Sequence, residues 1–369
     1  MTLDAATIGA RVAAARARAG KTQADVARES DLDRSALAKI ESGVRRVSAL
    51  ELARIAEALR ERVEWFLVEA PPSVVAHRNA SFEAGPGAID AVVEAAARDV
   101  EFVVAHDDSW TWPELPVVRP PDSHKAAEAL ALEVRSLLDL GVEPARDLVE
   151  LAGRLGLVTF SLTLGPGAPD GASVQLRDGG VAVVNGDLQT GRRRLTLAHE
   201  LGHYLSDDEF VVDWWRDDVD EGVSREATLD WFARALLLPE GGLRAFVGEC
   251  REGGDDLRTT AVRAASHFRV DMSTLARRLV DLGILGWEQA HVVRAVRTTK
   301  ADIIELNLVV HDELAPPTLS RFFEQSVLRL YRADIISDVR AVDLLRGVLD
   351  EEGLPELPLL PESAIWTFV

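Results

Sequence analysis

The apolar positions of the first sixty residues recur at helical spacing, with one short interruption. Residues 20–43 predict two short helices joined by a tight turn, and amphipathic segments at about 8–19 and 48–59 flank them. The side chains expected to pack the pair are Val26, Ala27, Leu32, Leu37 and Ile40. This pattern favours a small all-helical domain that contains a helix-turn-helix.

Capping residues support both of these helices. Thr22 is placed to cap the first helix, with Asp25 three residues later as a partial capping box. Asp33 is placed to cap the second helix, and Gly43 suits its end.

Between residues 155 and 185 the apolar positions form short runs separated by turn residues. The runs predict three strands of a small sheet, and Asp178-Gly-Gly180 predicts the hairpin turn between the last two. The predicted strands are 157–162, 172–176 and 181–184. An edge strand of such a sheet can hold an extended peptide by main-chain pairing.

Other segments extend the pattern on both sides of that sheet. The predicted helices are 87–98, 124–138, 319–331 and 338–346, and two further predicted strands are 100–105 and 303–310. The segment around Trp110 and Trp112 is rich in proline and is expected to be a linker. This aromatic pair is expected to pack onto a neighbouring domain rather than mark a ligand site.

These elements predict an α+β chain that is mostly helical. A length of 369 residues is too great for one ordinary core and predicts two or three domains. Composition shifts predict four parts: a five-helix helix-turn-helix domain at 1–70, a connecting segment with a Pro/Trp-rich linker at 71–123, a main domain with the small sheet at 124–288, and a C-terminal helical and strand extension at 289–369. The apolar, proline-rich end of this extension is expected to be buried on this chain or on another, which predicts partner or dimer contacts.

The strongest chemical pattern is His199-Glu200-x-x-His203, inside a segment whose leucines recur at helical spacing. Residues four apart lie on the same face of a helix, so both imidazoles can reach one metal ion. Glu200 lies beside the first ligand and can accept a proton from a metal-bound water without being a metal ligand itself. This layout is typical of zinc-dependent hydrolases.

A third ligand is expected from the next acidic helical segment, which ends at Pro239. Glu226 would complete a His-His-Glu set from a second helix, and Asp230, one turn later, could orient a ligand. The alternatives are Asp207, Asp208 and Glu209, which directly follow the motif and more often form a solvated helix end. Trp214 and Trp215, in the same intervening loop, are expected either to line the cleft or to pack the loop.

These residues carry a family resemblance. Ala198-His-Glu-Leu-Gly-His-Tyr-Leu205, followed by Glu226-Ala-x-x-Asp-x-Phe-Ala-x-x-Leu-Leu-x-Pro239, resembles the ImmA/IrrE family of zinc metallopeptidases. Residues 142–157 resemble the family's leading helix, 181–185 its strand ending in Asn, and 264–283 its closing helical pair. The similarity covers about residues 125–288, and Leu229 and Asp230 depart from the usual family Ala and Asn. It implies a zincin-like domain with the motif on a helix.

The amino-terminal segment resembles the XRE-type, lambda-repressor-like DNA-binding domains through Thr22-Gln23 and Ile40-Glu-Ser-Gly43. In that fold the second helix of the motif enters the major groove. The residues expected to face bases are Arg34, Ser35, Ala36 and Lys39, and those expected at phosphates are Gln23, Arg45 and Arg46. The alternative is a helical bundle that serves only to dock proteins.

Charge is unevenly distributed along the chain, whose net charge is −20. Residues 1–66 contain 12 Lys and Arg against 10 Asp and Glu, a net charge of +2. The excess of acidic residues therefore lies outside the predicted DNA-binding domain. A net-acidic chain therefore does not exclude nucleic acid. A module so mildly basic is expected to bind DNA weakly as a monomer, which predicts a homodimer on paired half-sites.

Cysteine usage and hydropathy point to the cytoplasm. Cys250 is the only cysteine, which is typical of a reducing compartment. The first residues do not form a signal peptide pattern, and the sequence lacks an apolar stretch long enough to span a membrane.

The combined expectation is a DNA-binding transcriptional regulator fused to a zinc metalloendopeptidase of the ImmA/IrrE type. The resemblance implies that it cleaves one protein partner, a repressor or an antitoxin. The alternative is a non-catalytic antitoxin or repressor of a toxin–antitoxin operon, whose peptidase-like domain binds metal and a toxin. Zn²⁺ is the expected metal, with Mn²⁺ and Fe²⁺ left open.

Overall fold

The computed structural model describes residues 4–19, 21–59, 63–67, 75–78, 87–114, 118–165, 167–206 and 224–357. The chain divides into two compact units, one containing Met1–Ser73 with Pro86–Ala88, the other containing Val74–Gly85 with Ile89–Val369. The expected fold class is confirmed: the chain is mostly helical, with a small mixed sheet in the second unit.

The first unit is a bundle of five helices, as predicted. They are α1 (Ala5–Arg18), α2 (Gln23–Glu29), α3 (Arg34–Glu41), α4 (Ala49–Leu59) and α5 (Val63–Leu67). Val26 and Leu37, from the two helices of the motif, are fully buried. Gly9 lets α1 approach the end of α3 closely, because a Cβ there would lie 2.1 Å from the Ile40 carbonyl oxygen.

The two predicted caps differ in the structure. Thr22 forms the capping box: its side chain accepts a hydrogen bond from the Asp25 backbone N–H, and the Asp25 carboxylate accepts one from the Thr22 N–H. Asp33 occupies the residue before α3, but its side chain makes no capping hydrogen bond, so that prediction is wrong. An extended backbone at this position is not sufficient, because the carboxylate must also turn back onto the helix.

This difference predicts unequal effects of two matched truncations. Thr22→Ala is expected to lower the stability of the α2–α3 region by about 1 kcal/mol, because it leaves helix N–H groups without an acceptor. Asp33→Ala, which removes no capping bond, is expected to change it by less than about 0.5 kcal/mol. Hydrogen exchange of backbone amides in α2 and α3 measures both effects, and equal losses for the two variants would contradict the assignment of the caps.

The second unit is built from helices on both faces of a five-stranded sheet. Helix α6 (Gly87–His106) belongs to this unit from Ile89 onward. The other helices are α7 (His124–Leu137), α8 (Leu148–Arg154), α9 (Thr190–Leu205), α10 (Arg225–Leu237), α11 (Glu240–Glu252), α12 (Leu257–Phe268), α13 (Met272–Asp281), α14 (Trp287–Ala295), α15 (Lys300–Glu305), α16 (Arg321–Arg332) and α17 (Asp338–Leu345). Its strands are β1 (Val75–Arg78), β2 (Leu157–Leu162), β3 (Gly171–Gln175), β4 (Gly180–Asn185) and β5 (Thr318–Leu319).

The sheet has the order β1-β3-β4-β2-β5, with β2 and β4 parallel and all other neighbours antiparallel. The hairpin between β3 and β4 lies at the predicted turn, where the Leu176 N–H donates to the Gly179 carbonyl. Successive strand residues face opposite sides, so β4 contributes to two cores. Val181 and Val183 pack against α6, α16 and α17, whereas Ala182 and Val184 face the core that contains α9.

Neither of two other predicted strands is a strand in the structure. Residues 100–105 belong to α6, where the buried Val93, Ala97, Val100 and Val103 recur at helical spacing. Their β-branched side chains resemble a strand locally, but tertiary packing decides the conformation. Residues 303–310 begin inside α15, because the capping box at Thr299 starts a helix there.

Three remaining expectations concern single segments. The segment 142–157, expected to contain the leading helix, is helical only over α8. Trp110 and Trp112 pack within the second unit, as predicted: the Trp110 ring lies 4.9 Å from that of Phe322, and Trp112 covers Gly179. No helix in the described part of the chain is both long and apolar enough to cross a membrane.

Candidate metal centre and nucleic-acid interface

Helix α9 carries the histidine motif through the interior of the second unit, between the sheet and α10. His199 and Glu200 are fully buried and His203 is 4% exposed. Two glycines permit this close packing. A Cβ at Gly202 would lie 2.9 Å from the Phe232 ring of α10, and a Cβ at Gly171 of β3 would lie 2.5 Å from the Thr196 methyl group. The glycine between the two histidines thus serves helix packing.

His199, His203 and Glu226 converge on one point. The Nε2 atoms of the two histidines are 3.1 Å apart. Glu226, at the start of α10, places one carboxylate oxygen 3.2 Å from His199 Nε2 and the other 3.5 Å from His203 Nε2. These are the three side chains that the sequence marks as ligands, and among the described residues they are the group whose geometry suits a metal ion.

The donor set and its spacing fit a divalent ion. Ligand atoms at about 2.0–2.1 Å from a tetrahedral ion are separated by roughly 3.3–3.4 Å. The two Nε2 atoms, and each Nε2 with its nearer Glu226 oxygen, lie at similar separations, and one ligand atom from each of the three residues falls within 4.8 Å of the others. Desolvation raises the pKa of the Glu226 carboxyl, but His199 and His203 outweigh it and bring that pKa below its usual value. Glu226 is therefore ionised near neutral pH, as a ligand must be.

Asp230 lies one turn after Glu226 on α10 and within hydrogen-bonding distance of a ligand. Its Oδ1 atom is 3.0 Å from His199 Nδ1, on the far side of the imidazole from the convergence point. A carboxylate there favours the tautomer with the proton on Nδ1, which leaves the Nε2 lone pair free for a metal. The aspartate that departs from the family pattern is thus placed to orient this imidazole.

Glu200 follows His199 on α9 and holds its carboxylate in the buried interior beside β3. The Ser173 hydroxyl donates to Glu200 Oε2 at 2.7 Å. Glu200 Oε1 is buried and has no hydrogen-bond partner among the described residues. A buried carboxylate oxygen left in this way is costly unless a water or substrate group satisfies it. One oxygen is therefore held by the protein and the other is left for chemistry.

Ser173 is a site residue that the sequence did not reveal. It lies on β3 opposite Ala182 of β4, so it faces α9 while its neighbours Ala172 and Val174 face the other core. Its only sequence signal is a polar residue among the buried positions of a short strand, and that signal does not name a partner. The alternative ligands Asp207, Asp208 and Glu209, and the pair Trp214 and Trp215, lie outside the described residues.

Tyr204 follows the second histidine but turns away from the ligands. A Cβ at Gly180 would lie 2.5 Å from its ring, and a Cβ at Gly156 would lie 2.7 Å from its hydroxyl oxygen. Burial raises the pKa of Tyr204 to about 12, so the phenol is neutral. Its role is to pack α9 against the ends of β2 and β4.

The first half of α9 is anchored by buried arginines. Arg194 is fully buried, pairs with Glu313 and donates to the Ala145 carbonyl. Glu313 also accepts from the Leu148 backbone N–H and lies 3.3 Å from Arg269. Arg193 pairs with Asp312, whose side chain is 71% exposed. The residues after α15 thus hold the helix that carries the ligands.

The helix-turn-helix unit presents most of the predicted DNA contacts on its surface. Arg34, Ser35, Lys39 and Arg46 are exposed, and Ala36 is half-buried. The remaining two make contacts within the unit. The Gln23 amide donates to Glu41 at 2.8 Å, and Arg45 pairs with Glu51 at 2.7 Å. If Gln23 and Arg45 contact phosphates, they must therefore release Glu41 and Glu51 or contact carboxylate and phosphate together.

Two family models match separate parts of the chain. A helix-turn-helix model matches residues 12–66, and a model of the IrrE N-terminal-like domain matches residues 152–280. No curated protein and no solved structure matches the chain. The first match supports a DNA-binding regulator, and the second supports a peptidase-like domain of a metal-dependent type. Together the two matches support a fusion of an XRE-type helix-turn-helix domain with a peptidase-like domain of the ImmA/IrrE type.

Proposed function

We propose that this protein is a DNA-binding transcriptional regulator whose peptidase domain is a zinc-dependent endopeptidase that cleaves one specific protein partner, a repressor or an antitoxin. The observation that carries the proposal is the buried Glu200, whose Oε1 has no partner in the described structure and which lies beside the ligand set of His199, His203 and Glu226. A module that only binds has no need of such a carboxylate. Residues 1–70, 71–123, 124–288 and 289–369 are the four parts of this regulator, which acts in the cytoplasm as a homodimer on operator DNA.

The chain's own residues account for the proton transfers of peptide hydrolysis. A divalent ion held by His199, His203 and Glu226 supplies Lewis acidity for the attack of water on a peptide carbonyl. Glu200 accepts the proton of the attacking water as the new C–O bond forms. It returns that proton to the leaving amine as the C–N bond breaks. Ser173 holds the other Glu200 oxygen, so the carboxylate keeps its orientation through both transfers.

Glu200→Gln is expected to reduce cleavage by about 10²–10⁴-fold, because the amide cannot accept the proton. Zinc content is expected to stay unchanged, because Glu200 is not one of the three ligands. Newly formed protein N-termini, quantified by proteomics in cells that express either form, report cleavage and identify the cleaved partner at the same time. Glu133→Gln, at an exposed glutamate of α7, is the matched control.

The DNA-binding unit provides the reciprocal control. Arg34→Ala with Lys39→Ala removes two exposed cations of α3, each worth about 1–3 kcal/mol if it reads a base. These changes are expected to weaken binding to DNA selected from a random pool by the wild type, while Arg54→Ala on α4 and the Glu200→Gln change are not. If Glu200→Gln leaves the same N-termini as the wild type, the alternative of a non-catalytic antitoxin or repressor replaces the enzyme.

A further inference from the structure

A cavity of about 330 Å³, open to solvent, lies beside the metal centre in the second unit. We call it the arginine cavity. Helices α9, α10, α13 and α14 form its walls. The charged and titratable side chains that line it are Arg192, Arg234, Arg277, Arg294, His291 and Asp230.

The arginine cavity lies next to the ligand set along α9 and α10, on the Nδ1 side of His199. Asp230 lines the cavity and also lies 3.0 Å from His199 Nδ1. On α9, Arg192 and Leu195 line the cavity and precede His199 at helical spacing, so all three share one face of the helix. The cavity is therefore a neighbouring subsite, about two turns of α9 from the metal centre, for a segment that extends beyond the bound peptide bond.

Positive charge exceeds negative charge around the cavity. Arg234 and Arg277 share a single carboxylate, that of Asp281, at 2.9 Å each. Arg192 pairs with Asp170, and Asp230 is engaged with His199. The exposed Arg294 has no ion pair with another described residue. Four arginines thus lie with three carboxylates, and the Arg294 guanidinium is open to an added anion although the net charge of the chain is −20.

The rim of the cavity has the composition of a protein-binding surface. Trp287 is 67% exposed, and the Arg277 guanidinium lies 5.5 Å from its ring centroid. Exposed tryptophan and arginine side chains are the residues that contribute most to protein–protein binding. Guanidinium groups bind carboxylates through two parallel hydrogen bonds, which gives them geometric preference for Asp and Glu.

We propose that the arginine cavity binds an aspartate or glutamate side chain of the cleaved protein partner, close in sequence to the scissile bond. This inference rests on the proposed endopeptidase function and adds its substrate class: a segment with an acidic residue flanking the cleavage point. Trp287 contacts the apolar part of the same segment at the rim. A small free anion would use the same donors, and the experiment separates the two.

The experiment measures peptide binding without cleavage, on the zinc-loaded full chain carrying Glu200→Gln. The probes are a short labelled peptide with consecutive glutamates on an alanine–serine background and its glutamine twin, followed by fluorescence anisotropy. The glutamate peptide is expected to bind about tenfold or more tightly, since tenfold corresponds to about 1.4 kcal/mol. Inorganic phosphate at an equal concentration is expected to compete poorly, because it does not reach Trp287.

Charge reversal at the rim identifies the cavity as the site. Arg277→Glu with Arg294→Glu is expected to abolish the preference for the glutamate peptide and to favour a lysine twin. Arg294→Gln is a milder change at an exposed side chain and is expected to reduce the preference severalfold. Arg321→Glu with Arg332→Glu changes the net charge equally at exposed positions on α16, and is expected to leave the preference intact.

The inference is overturned by equal binding of the glutamate and glutamine peptides, by equal loss in the α16 control, or by full competition by phosphate, which would identify a small-anion site. These results are separable from those for the proposed function. If cleavage occurs in cells but the peptides show no glutamate preference, the proposed endopeptidase function is retained and the acidic subsite is rejected. A glutamate preference that survives charge reversal at Arg277 and Arg294 also removes it, since binding then occurs elsewhere.

Discussion

His203→Ala is expected to lower zinc affinity by about 10²–10³-fold. Structural zinc sites with four ligands bind with roughly 10–16 kcal/mol, or about 3–4 kcal/mol for each ligand. Here the protein supplies three, and His203 Nε2 lies 3.1 Å from His199 Nε2 and 3.5 Å from Glu226, at the centre of the set. Loss of this imidazole leaves two ligands on different helices, with no described donor to replace it.

Competition against a chromophoric zinc chelator at fixed pH measures this loss. Asp230→Ala is expected to give an intermediate loss of about 10–100-fold, because it affects only the orientation and basicity of His199. His106→Ala, at an exposed histidine of α6, is the matched control and should behave as the wild type. A ranking in which Asp230→Ala costs more than His203→Ala would disprove the assignment of these roles.

Glu313→Leu is expected to lower the free energy of unfolding by about 3–5 kcal/mol. The change leaves Arg194 charged, fully buried and without its carboxylate, and removes the acceptor of the Leu148 N–H. Removing one partner of a buried ion pair costs far more than the pair contributes, because the remaining charge stays desolvated. Burial already lowers the pKa of Arg194, although Glu313 opposes that effect.

Urea unfolding of the metal-free chain measures this effect with two comparisons. Asp312→Leu breaks the neighbouring pair with Arg193, but at a carboxylate that is 71% exposed, so its cost is expected to stay below about 1 kcal/mol. The double change Arg194→Met with Glu313→Leu is expected to recover most of the loss, because neither charge is then buried alone. Equal effects of Glu313→Leu and Asp312→Leu would show that burial of Arg194 does not decide the stability of this region.

Features that depend on nearby residues were predictable from the sequence. The spacing of His199 and His203 places both imidazoles on one face of any helix, and the Thr22 capping box needs only a four-residue segment. Glu226 was marked by resemblance and by its place in the next helix. The structure brings its carboxylate to the two imidazoles.

Features that depend on distant residues were not predictable. Ser173 reaches Glu200 only because β3 pairs with β4 in one register and Gly171 lets α9 approach the sheet. Val100 and Val103 suit a strand by propensity, but the core selects the helix in which both are buried. The arginine cavity draws residues from four helices, so no single segment contains its pattern.

The face of the sheet opposite α9 determines how long a fragment of the second unit must be to fold. Phe160, Val181 and Val183 are covered by α6, α16 and α17, all of which lie outside the IrrE-like match at 152–280. A recombinant piece trimmed to that match would open these apolar side chains to water and be prone to aggregate. Expression trials that retain the chain from α6 through α17 are therefore the ones that should yield a well-behaved second unit.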